Sequence, residues 1–114
     1  MNEPNLKDRF RGLPPPHQRL LRMLQDVNFG RITFCVQGGA PDFEQPWRTR
    51  QTVKLAGGTN GPRPETSLSD FELRQEQAAL LEALGRLRDG ADVTVEVRHG
   101  LPFLVEIEQE QQLA

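Results

Sequence analysis

Apolar residues recur along this chain with two different spacings, which together predict the same succession of elements twice. Residues 20–27 place leucine, methionine and valine at the i, i+3, i+4 spacing of an amphipathic helix. Residues 32–36 then alternate apolar and polar side chains, as a half-buried strand does. A second helical stripe lies at residues 73–87, and alternation returns at 93–97 and 103–107. The pattern therefore predicts a helix and two strands, twice over.

Prolines, glycines and one capping signal mark the ends of the two predicted helices. The first helix is predicted to begin at Pro16, because proline is tolerated in the first turn, and to stop at Asn28. Ser69 and Glu72 have the spacing of a capping box, in which each side chain bonds the other's free backbone N–H. The second helix is therefore predicted to begin there and to end at Gly90.

Alternation also predicts which side chains of the hairpins face the core. The return strand of the first hairpin is predicted to run from Trp47 to Leu55. Its core face would carry Trp47, Thr49, Val53 and Leu55, and its outer face Arg48, Arg50, Thr52 and Lys54. In the last strand the core face would carry Phe103, Val105 and Ile107, and the outer face Leu104, Glu106 and Glu108.

The two halves can be aligned with each other. Leu20, Leu21, Leu24 and Gly30 have counterparts 60 positions later, and Ile32-Thr33-Phe34 matches Val93-Thr94-Val95 at an offset of 61. Each turn also contains Gly-x-Pro, beginning at Gly39 and Gly100. Any helix–strand–strand unit would place apolar residues in this way, but the matched threonines and turns favour a common ancestor for the two halves.

Two such units need a shared core, because a single hairpin on one helix is marginally stable in water. We therefore expect one α+β domain of order αββαββ, with a four-stranded sheet and both helices on one face. The preferred topology is a permuted ferredoxin-like fold, whose first strand has moved to the end. The alternatives are two hairpins packed face to face, or sheets completed by a second chain. The predicted segments are an N-terminal arm (1–16), a first unit (17–55), a Gly/Pro linker (56–67), a second unit (68–108) and a tail (109–114).

Three short motifs in the first half carry a resemblance to a known family. They are Leu20, Leu21 and Leu24 followed by Val27-Asn28-Phe29-Gly30-Arg31-Ile32-Thr33, then Val36-Gln37-Gly38-Gly39, then the return strand from Arg48 to Leu55. This stretch, about a third of the chain, resembles the YezD-like family of small bacterial proteins of unknown function. The resemblance implies a helix followed by a hairpin, and a bacterial origin. The chain departs from the family pattern at residues 42–46 and in having a second half. No catalytic or binding residues carry over.

Composition narrows the class of protein. The chain has 114 residues, of which 36% are hydrophobic and 26% charged, and this suits one soluble domain with a modest core. So short a chain has little stability to spare, which makes dimerisation a reasonable expectation. The net charge of −2 gives no overall reason to expect nucleic acid or an anionic membrane as a partner. The sequence shows no signal-peptide pattern and no apolar run long enough to cross a membrane, so we expect a cytoplasmic protein.

The residues capable of chemistry do not form a recognisable active site. Cys35 has no adjacent base and is predicted to be a small residue on a sheet face. His17 and His99 lie at no metal-binding spacing, and residues 57–64 lack the Gly-Lys-Ser/Thr of a phosphate loop. Asp42 and Glu44 form one carboxylate pair, which is expected of a polar loop. Glu72 and Glu76 form another, which is expected of the solvated face of a helix. We expect no cofactor and no metal, and an uncharacterised enzyme is the third alternative, after a protein-interaction module and a nucleic-acid binder.

The outer sheet face is the most informative surface in the sequence. Its first hairpin is basic and its second largely acidic, so a shared face would carry both signs. We expect a protein partner or self-association at a candidate interaction face made by Arg31, Arg48, Arg50 and Lys54. The alternative is weak binding of nucleic-acid phosphates by the same basic hairpin and the arm. That alternative is disfavoured because the aromatic residues are predicted to face the core, where no base could stack on them.

Overall fold

The computed structural model describes residues 9–56 and 61–109, which contain two α-helices, two short 3-10 helices and five strands. The α-helices are α1 (Pro15–Val27) and α2 (Gln75–Gly85). The strands are β1 (Phe29–Gln37), β2 (Ala40–Asp42), β3 (Arg48–Gln51), β4 (Asp92–Arg98) and β5 (Leu101–Glu108). The predicted α+β class is confirmed. Residues 1–8 of the predicted arm, 57–60 of the linker and 110–114 of the tail lie outside the described residues.

All five strands belong to one open antiparallel sheet. Its order is β2–β1–β4–β5, and β3 pairs with the same edge of β1 as β2 does. The predicted return strand is thus two short strands, because residues 43–47 leave the sheet between them, and the expected count of four strands becomes five. The order also differs from a permuted ferredoxin-like sheet, which would place the second strand of each hairpin at the centre. Here the first strands, β1 and β4, are central, because they carry most of the buried apolar side chains.

The core lies between one face of this sheet and both helices. Alternate residues of β1 and β4 are buried there, namely Ile32, Phe34, Val36, Val93, Val95 and Val97. They pack against α1 through Leu20, Leu21 and Leu24 and against α2 through Leu80 and Leu84. The buried stripes of the helices and the buried faces of the strands thus form a single layer of contacts. Over residues 9–56 and 61–109, no helix covers the opposite face of the sheet.

Two aromatic residues predicted to face the core are exposed. Phe103 is the extra residue of a β-bulge, because Glu96 pairs with Leu104 while Val97 pairs with Pro102. The bulge leaves Phe103 58% exposed, with the Arg98 guanidinium 3.8 Å from its ring centroid. Trp47 lies in the segment that leaves the sheet and is 41% exposed. Both predictions were wrong because they assumed uninterrupted alternation.

The start of α2 also differs from the prediction. Asp70 accepts hydrogen bonds from Arg9 Nε at 2.8 Å and from the backbone N–H of Arg11 at 3.0 Å, and Phe71 stacks on Phe10 at 4.8 Å. With the Arg9–Glu72 bridge, these contacts hold residues 70–72 against residues 9–11 and outside the helix, so no capping box forms there. The helix instead begins at Gln75, where Gln77 Oε1 accepts the Arg74 N–H at 2.9 Å, and it ends at Gly85 rather than Gly90.

An arginine of α1 holds the chain between the two halves against that helix. The Arg22 guanidinium donates hydrogen bonds to the carbonyl oxygens of Glu65, Thr66 and Leu68, and it lies 4.3 Å from the ring centroid of Phe10. These carbonyls belong to a short 3-10 turn (Pro64–Ser67) and the residue that follows it. The connection between the halves is therefore anchored where it passes α1.

Glu65, in the same turn, carries the largest pKa change in the protein's described acidic groups. Desolvation acts to raise its pKa, but hydrogen bonds from Arg63, from its own backbone and from Arg74, with the charge of Arg63, lower the pKa to about 2 from an ordinary 4.5. The ion pairs are short, at 3.0 Å to Arg63 and 3.1 Å to Arg74. The folded state therefore favours the ionised carboxylate.

Glu65→Gln should lower the stability of the protein at pH 7 by at most about 3 kcal/mol, the free energy equivalent of that pKa difference. Because the folded-state pKa is depressed, wild-type Glu65 contributes fully above pH 4.5 and loses its contribution as the pH falls towards 2. The difference in free energy of unfolding between the wild type and Glu65→Gln, measured with urea, should therefore become smaller as the pH falls from 4.5 towards 2. Glu82→Gln, at an exposed pair with Arg86, is the control and should change little. A difference in free energy of unfolding that does not change with pH would contradict the prediction.

Candidate interaction face

Alternation along β1, β3, β4 and β5 places a second set of side chains on the sheet surface opposite the helices, here called the outer face. On these strands it comprises Arg31, Thr33, Cys35, Arg48, Arg50, Asp92, Thr94, Glu96, Arg98, Leu104, Glu106 and Glu108. On β2, Asp42 lies opposite Cys35 and shares the same face. The strand register sorts these side chains into rows that cross the sheet. One row reads Arg48, Thr33, Thr94 and Glu106, and the next reads Arg50, Arg31, Glu96 and Leu104.

Three arginines make one half of the outer face basic. Arg31 and Arg50 lie directly opposite each other on β1 and β3, and Arg48 lies opposite Thr33 one row away. Like charges in directly opposed positions destabilise a sheet unless something compensates them. Among the described residues no salt bridge involves any of the three. Arg48 and Arg50 therefore have no acidic neighbour directly opposite them, whereas Arg31 lies opposite Glu96 of β4.

The other half of the outer face is mainly acidic. Asp92 lies opposite Glu108, and Thr94 lies opposite Glu106. Within the described chain the ion pair of this half joins Glu96 to Arg98 at 3.4 Å. The predicted division of charge is therefore present on β1, β3, β4 and β5, with its boundary between β1 and β4, and Asp42 of β2 is an acidic residue on the basic side.

Two threonines mark that boundary. Thr33 and Thr94 are directly opposed, and their hydroxyl oxygens are 3.2 Å apart. Above them lies an open trough of about 520 Å³, with Trp47 and Arg48 on one side and acidic residues of β4 and β5 on the other. The centre of the face is thus lined by short side chains, and the charged side chains stand at its two sides.

Lys54, the fourth predicted member of the candidate face, does not join the other three. The last hydrogen bond of this edge runs from the Thr52 N–H to the Phe29 carbonyl at 2.7 Å, and β3 itself ends at Gln51. Lys54 lies beyond this point in an exposed, irregular segment. The predicted return strand was too long because β1 offers no partner past its first residue, Phe29.

An aromatic cluster beside the basic half was not predicted. Trp47 packs edge-on against Phe43 with ring centroids 5.9 Å apart, and the Arg19 guanidinium of α1 lies 4.6 Å from the Phe43 centroid and 5.3 Å from that of Trp47. The signal that could have revealed it is Pro46, which cannot donate to a sheet ladder and so indicates a break just before Trp47.

Cys35 lies on the outer face, as predicted, and its thiol donates a hydrogen bond to Asp92 Oδ1 at 3.1 Å. That hydrogen bond, with desolvation and the negative charges of Asp92 and Asp42, raises the pKa of Cys35 above its usual value. A thiol that keeps its proton is a poor nucleophile, since the thiolate is the reactive form. The environment of Cys35 therefore works against covalent catalysis.

The two histidines are in separate places. His99 occupies the β4–β5 turn with a positive φ of 51°, in keeping with its predicted turn position. His17 lies in the first turn of α1, where desolvation lowers its pKa although a hydrogen bond with the backbone of Gly39 acts in the other direction. Within the described ranges no cluster of three or more His, Cys, Asp or Glu side chains could hold a metal ion. Of the predicted carboxylate pairs, Asp42 is the last residue of β2 and Glu44 lies just after it, and Glu72 and Glu76 lie around the start of α2.

Neither α1 nor α2 has the length and hydropathy needed to cross a membrane, and the same holds for every helical turn in the described part of the chain. Comparison with protein-family models, with curated proteins and with solved structures found no match to this chain.

Proposed function

We propose that this chain is a non-catalytic protein-interaction or small regulatory module, which binds its partner through the outer face. One observation carries the proposal: an open sheet face with no described helix over it holds mainly basic charge on one half and mainly acidic charge on the other. Charge arranged in this way steers encounters and selects partners with a matching arrangement. A partner for this face should therefore itself carry both signs.

A nucleic acid fits this face less well. Arg31, Arg48 and Arg50 could contact phosphates, but Glu96 and Glu106 lie in the same two rows and would repel the continuation of a phosphate backbone. Trp47 could offer a stacking surface at the side of the face, although its ring is already packed on Phe43. The protein-interaction function is favoured for this reason, and nucleic acid becomes an outcome of the experiment below.

The descent of the chain from a duplicated αββ unit is part of the same proposal. It is supported by the register of the central strands, in which Ile32 pairs with Val95 and Phe34 with Val93 around the aligned threonines. Such a reciprocal pairing is what a two-fold related pair of identical units would produce. On this proposal single-unit proteins of the YezD-like family would pair as homodimers, and this bacterial, cytoplasmic chain would be their covalently fused counterpart.

A photo-crosslinking amino acid placed at Leu104, an exposed position of the outer face, should form a protein adduct in cells that naturally make this chain. Leu104 is suitable because it carries no charge and lies beside Glu96. The matched control is the same group at Arg86, which is exposed on the end of α2. Adducts are separated by electrophoresis before and after nuclease treatment.

If a stable partner binds the outer face, the yield of protein adduct with the crosslinker at Leu104 should be at least about tenfold higher than with the crosslinker at Arg86. An adduct that disappears on nuclease treatment would instead support the nucleic-acid alternative. Equal yields from the two positions would contradict the assignment of the outer face as the binding surface.

A further inference from the structure

We infer that the outer face binds the outer face of a second copy of this chain, in a two-fold symmetric dimer whose axis runs parallel to the strands. The inference rests on the proposed function and names its partner. The three outer-face arginines of β1 and β3 make one half basic, and most of the acidic side chains lie on β4 and β5, with Asp42 of β2 as the exception. In a symmetric dimer the same surface serves both copies, so it must be complementary to itself.

The direction of the axis follows from that division. When two identical sheets are turned face to face about an axis parallel to their strands, left and right are exchanged, and the basic half of each copy covers the acidic half of the other. An axis running across the strands would instead place basic on basic and acidic on acidic. Charge therefore permits one of the two simple face-to-face arrangements and opposes the other.

The cross-strand rows then determine which residues of the two copies face each other. In the threonine row, Arg48 faces the partner's Glu106, and Thr33 faces the partner's Thr94. In the next row, Arg31 faces the partner's Glu96. By symmetry each contact occurs twice. Sheets packed face to face lie about 10 Å apart, a gap that an arginine and a glutamate can span together when the side chains between them are threonines.

Arg48 and Glu106 cannot neutralise each other within one chain, whereas Arg31 and Glu96 are direct neighbours on β1 and β4. Arg48 and Glu106 belong to the outermost strands of their row, with β1 and β4 between them. Three strand spacings amount to about 14 Å, which is too far for an ion pair. Their unneutralised charges are thus available to a second molecule.

The edges of the sheet are less suited to self-association than its face. One edge is broken between β2 and β3 by residues 43–47. The other, β5, carries the bulge at Phe103 and begins with Leu101-Pro102, where the proline has no N–H to donate. Bulges and prolines are devices that prevent strands from adding to an edge. Association through the face does not need either edge.

The size of the face indicates a weak dimer. Four strands about 4.8 Å apart and about seven residues long give a footprint of about 450 Å² per copy, at the low end for specific interfaces. The row of Asp42, Cys35, Asp92 and Glu108 adds repulsion, because in this arrangement Asp42 faces the partner's Glu108. We expect a reversible dimer with a Kd of about 1–100 μM that weakens as salt is added.

Sedimentation velocity of the full chain and four variants tests the inference. Arg48→Glu and Glu106→Arg should each weaken the dimer at least about tenfold, because each change puts like charges opposite each other twice. An equimolar mixture of these two variants should regain the wild-type affinity within about threefold, since every altered side chain then faces one of opposite sign. The double variant R48E/E106R should regain it too. Arg86→Glu, on α2, is the control and should dimerise as the wild type does.

Far-ultraviolet circular dichroism checks that each exposed substitution leaves the fold intact. A wild-type chain that stays monomeric at about 1 mM and low salt would overturn the inference, while leaving the proposed protein-interaction function to be judged by its own crosslinking experiment. Two results would overturn the face-to-face arrangement. One is a dimer affinity unchanged by either single substitution, and the other is a mixture of the two single variants that does not regain the wild-type affinity.

Discussion

Replacing Phe34 with alanine should lower the free energy of unfolding by about 3–5 kcal/mol, the usual cost of removing a buried aromatic ring. Phe34 is 1% exposed, lies in the middle of the central strand β1, and packs against Phe43 with ring centroids 6.0 Å apart. Removing the ring takes away apolar contacts in the core between the sheet and the two helices. It also leaves a cavity that the surrounding side chains can fill only in part. For a chain of this size such a loss approaches the whole stability.

The matched control is Phe103→Ala, because the sequence pattern alone assigns both rings to the core. Phe103 is 58% exposed at the bulge of β5, so its truncation should cost less than about 1 kcal/mol. Urea unfolding followed by tryptophan fluorescence measures both. Should Phe34→Ala leave too little folded protein to measure, Phe34→Leu should retain the fold with a smaller loss. Equal losses at positions 34 and 103 would contradict the placement of the two rings.

Gly30→Ala should destabilise the protein by about 3 kcal/mol or more, since two separate penalties coincide at this position. Gly30 has a φ of 151°, which residues with a side chain rarely adopt. A Cβ atom added there would lie 1.9 Å from the backbone oxygen of Arg50, so β3 would have to move away from β1. The displaced strand carries Arg48 and Arg50, and the substitution should therefore also weaken the proposed dimer.

Gly85→Ala serves as the control for that substitution. Nothing lies within 4 Å of a Cβ at Gly85, the last residue of α2, and alanine favours helix more than glycine does. It should leave stability unchanged or raise it by up to about 1 kcal/mol. Backbone amide exchange at residues 50–52 would report the loss of the β1–β3 hydrogen bonds in Gly30→Ala. Slow exchange there, equal to the wild type, would contradict the predicted displacement.

Features that depend on neighbouring residues could be predicted from the sequence. The periodicity of residues 20–27 identified α1, and alternation identified β1, β4 and β5, because the buried face of each element repeats along the chain itself. The start of α2 could not be predicted in this way. A strong local capping signal at Ser69 and Glu72 is outweighed by contacts of Asp70 and Phe71 with residues about 60 positions earlier. No local pattern contains that information.

The candidate face shows the same division. The sequence correctly groups Arg31, Arg48 and Arg50, because a hairpin brings nearby residues together. It wrongly adds Lys54, because the end of β3 depends on where its partner strand β1 begins. The pairing of β1 with β4 sets which charges share a row, and it joins segments far apart in the chain. The sequence therefore indicated the charges, and the sheet register shows how they are arranged.

The central pair of strands has a consequence for how the protein folds during its synthesis. Thr33 must find Thr94, a partner that is synthesised 61 residues after it. Pairings between such distant segments close slowly, because the chain entropy of a long loop is lost before the contacts form. Until β4 emerges, one edge of β1 lacks its partner strand and its apolar face lacks half of its cover, so the nascent first half is the stage most exposed to aggregation and most dependent on chaperones.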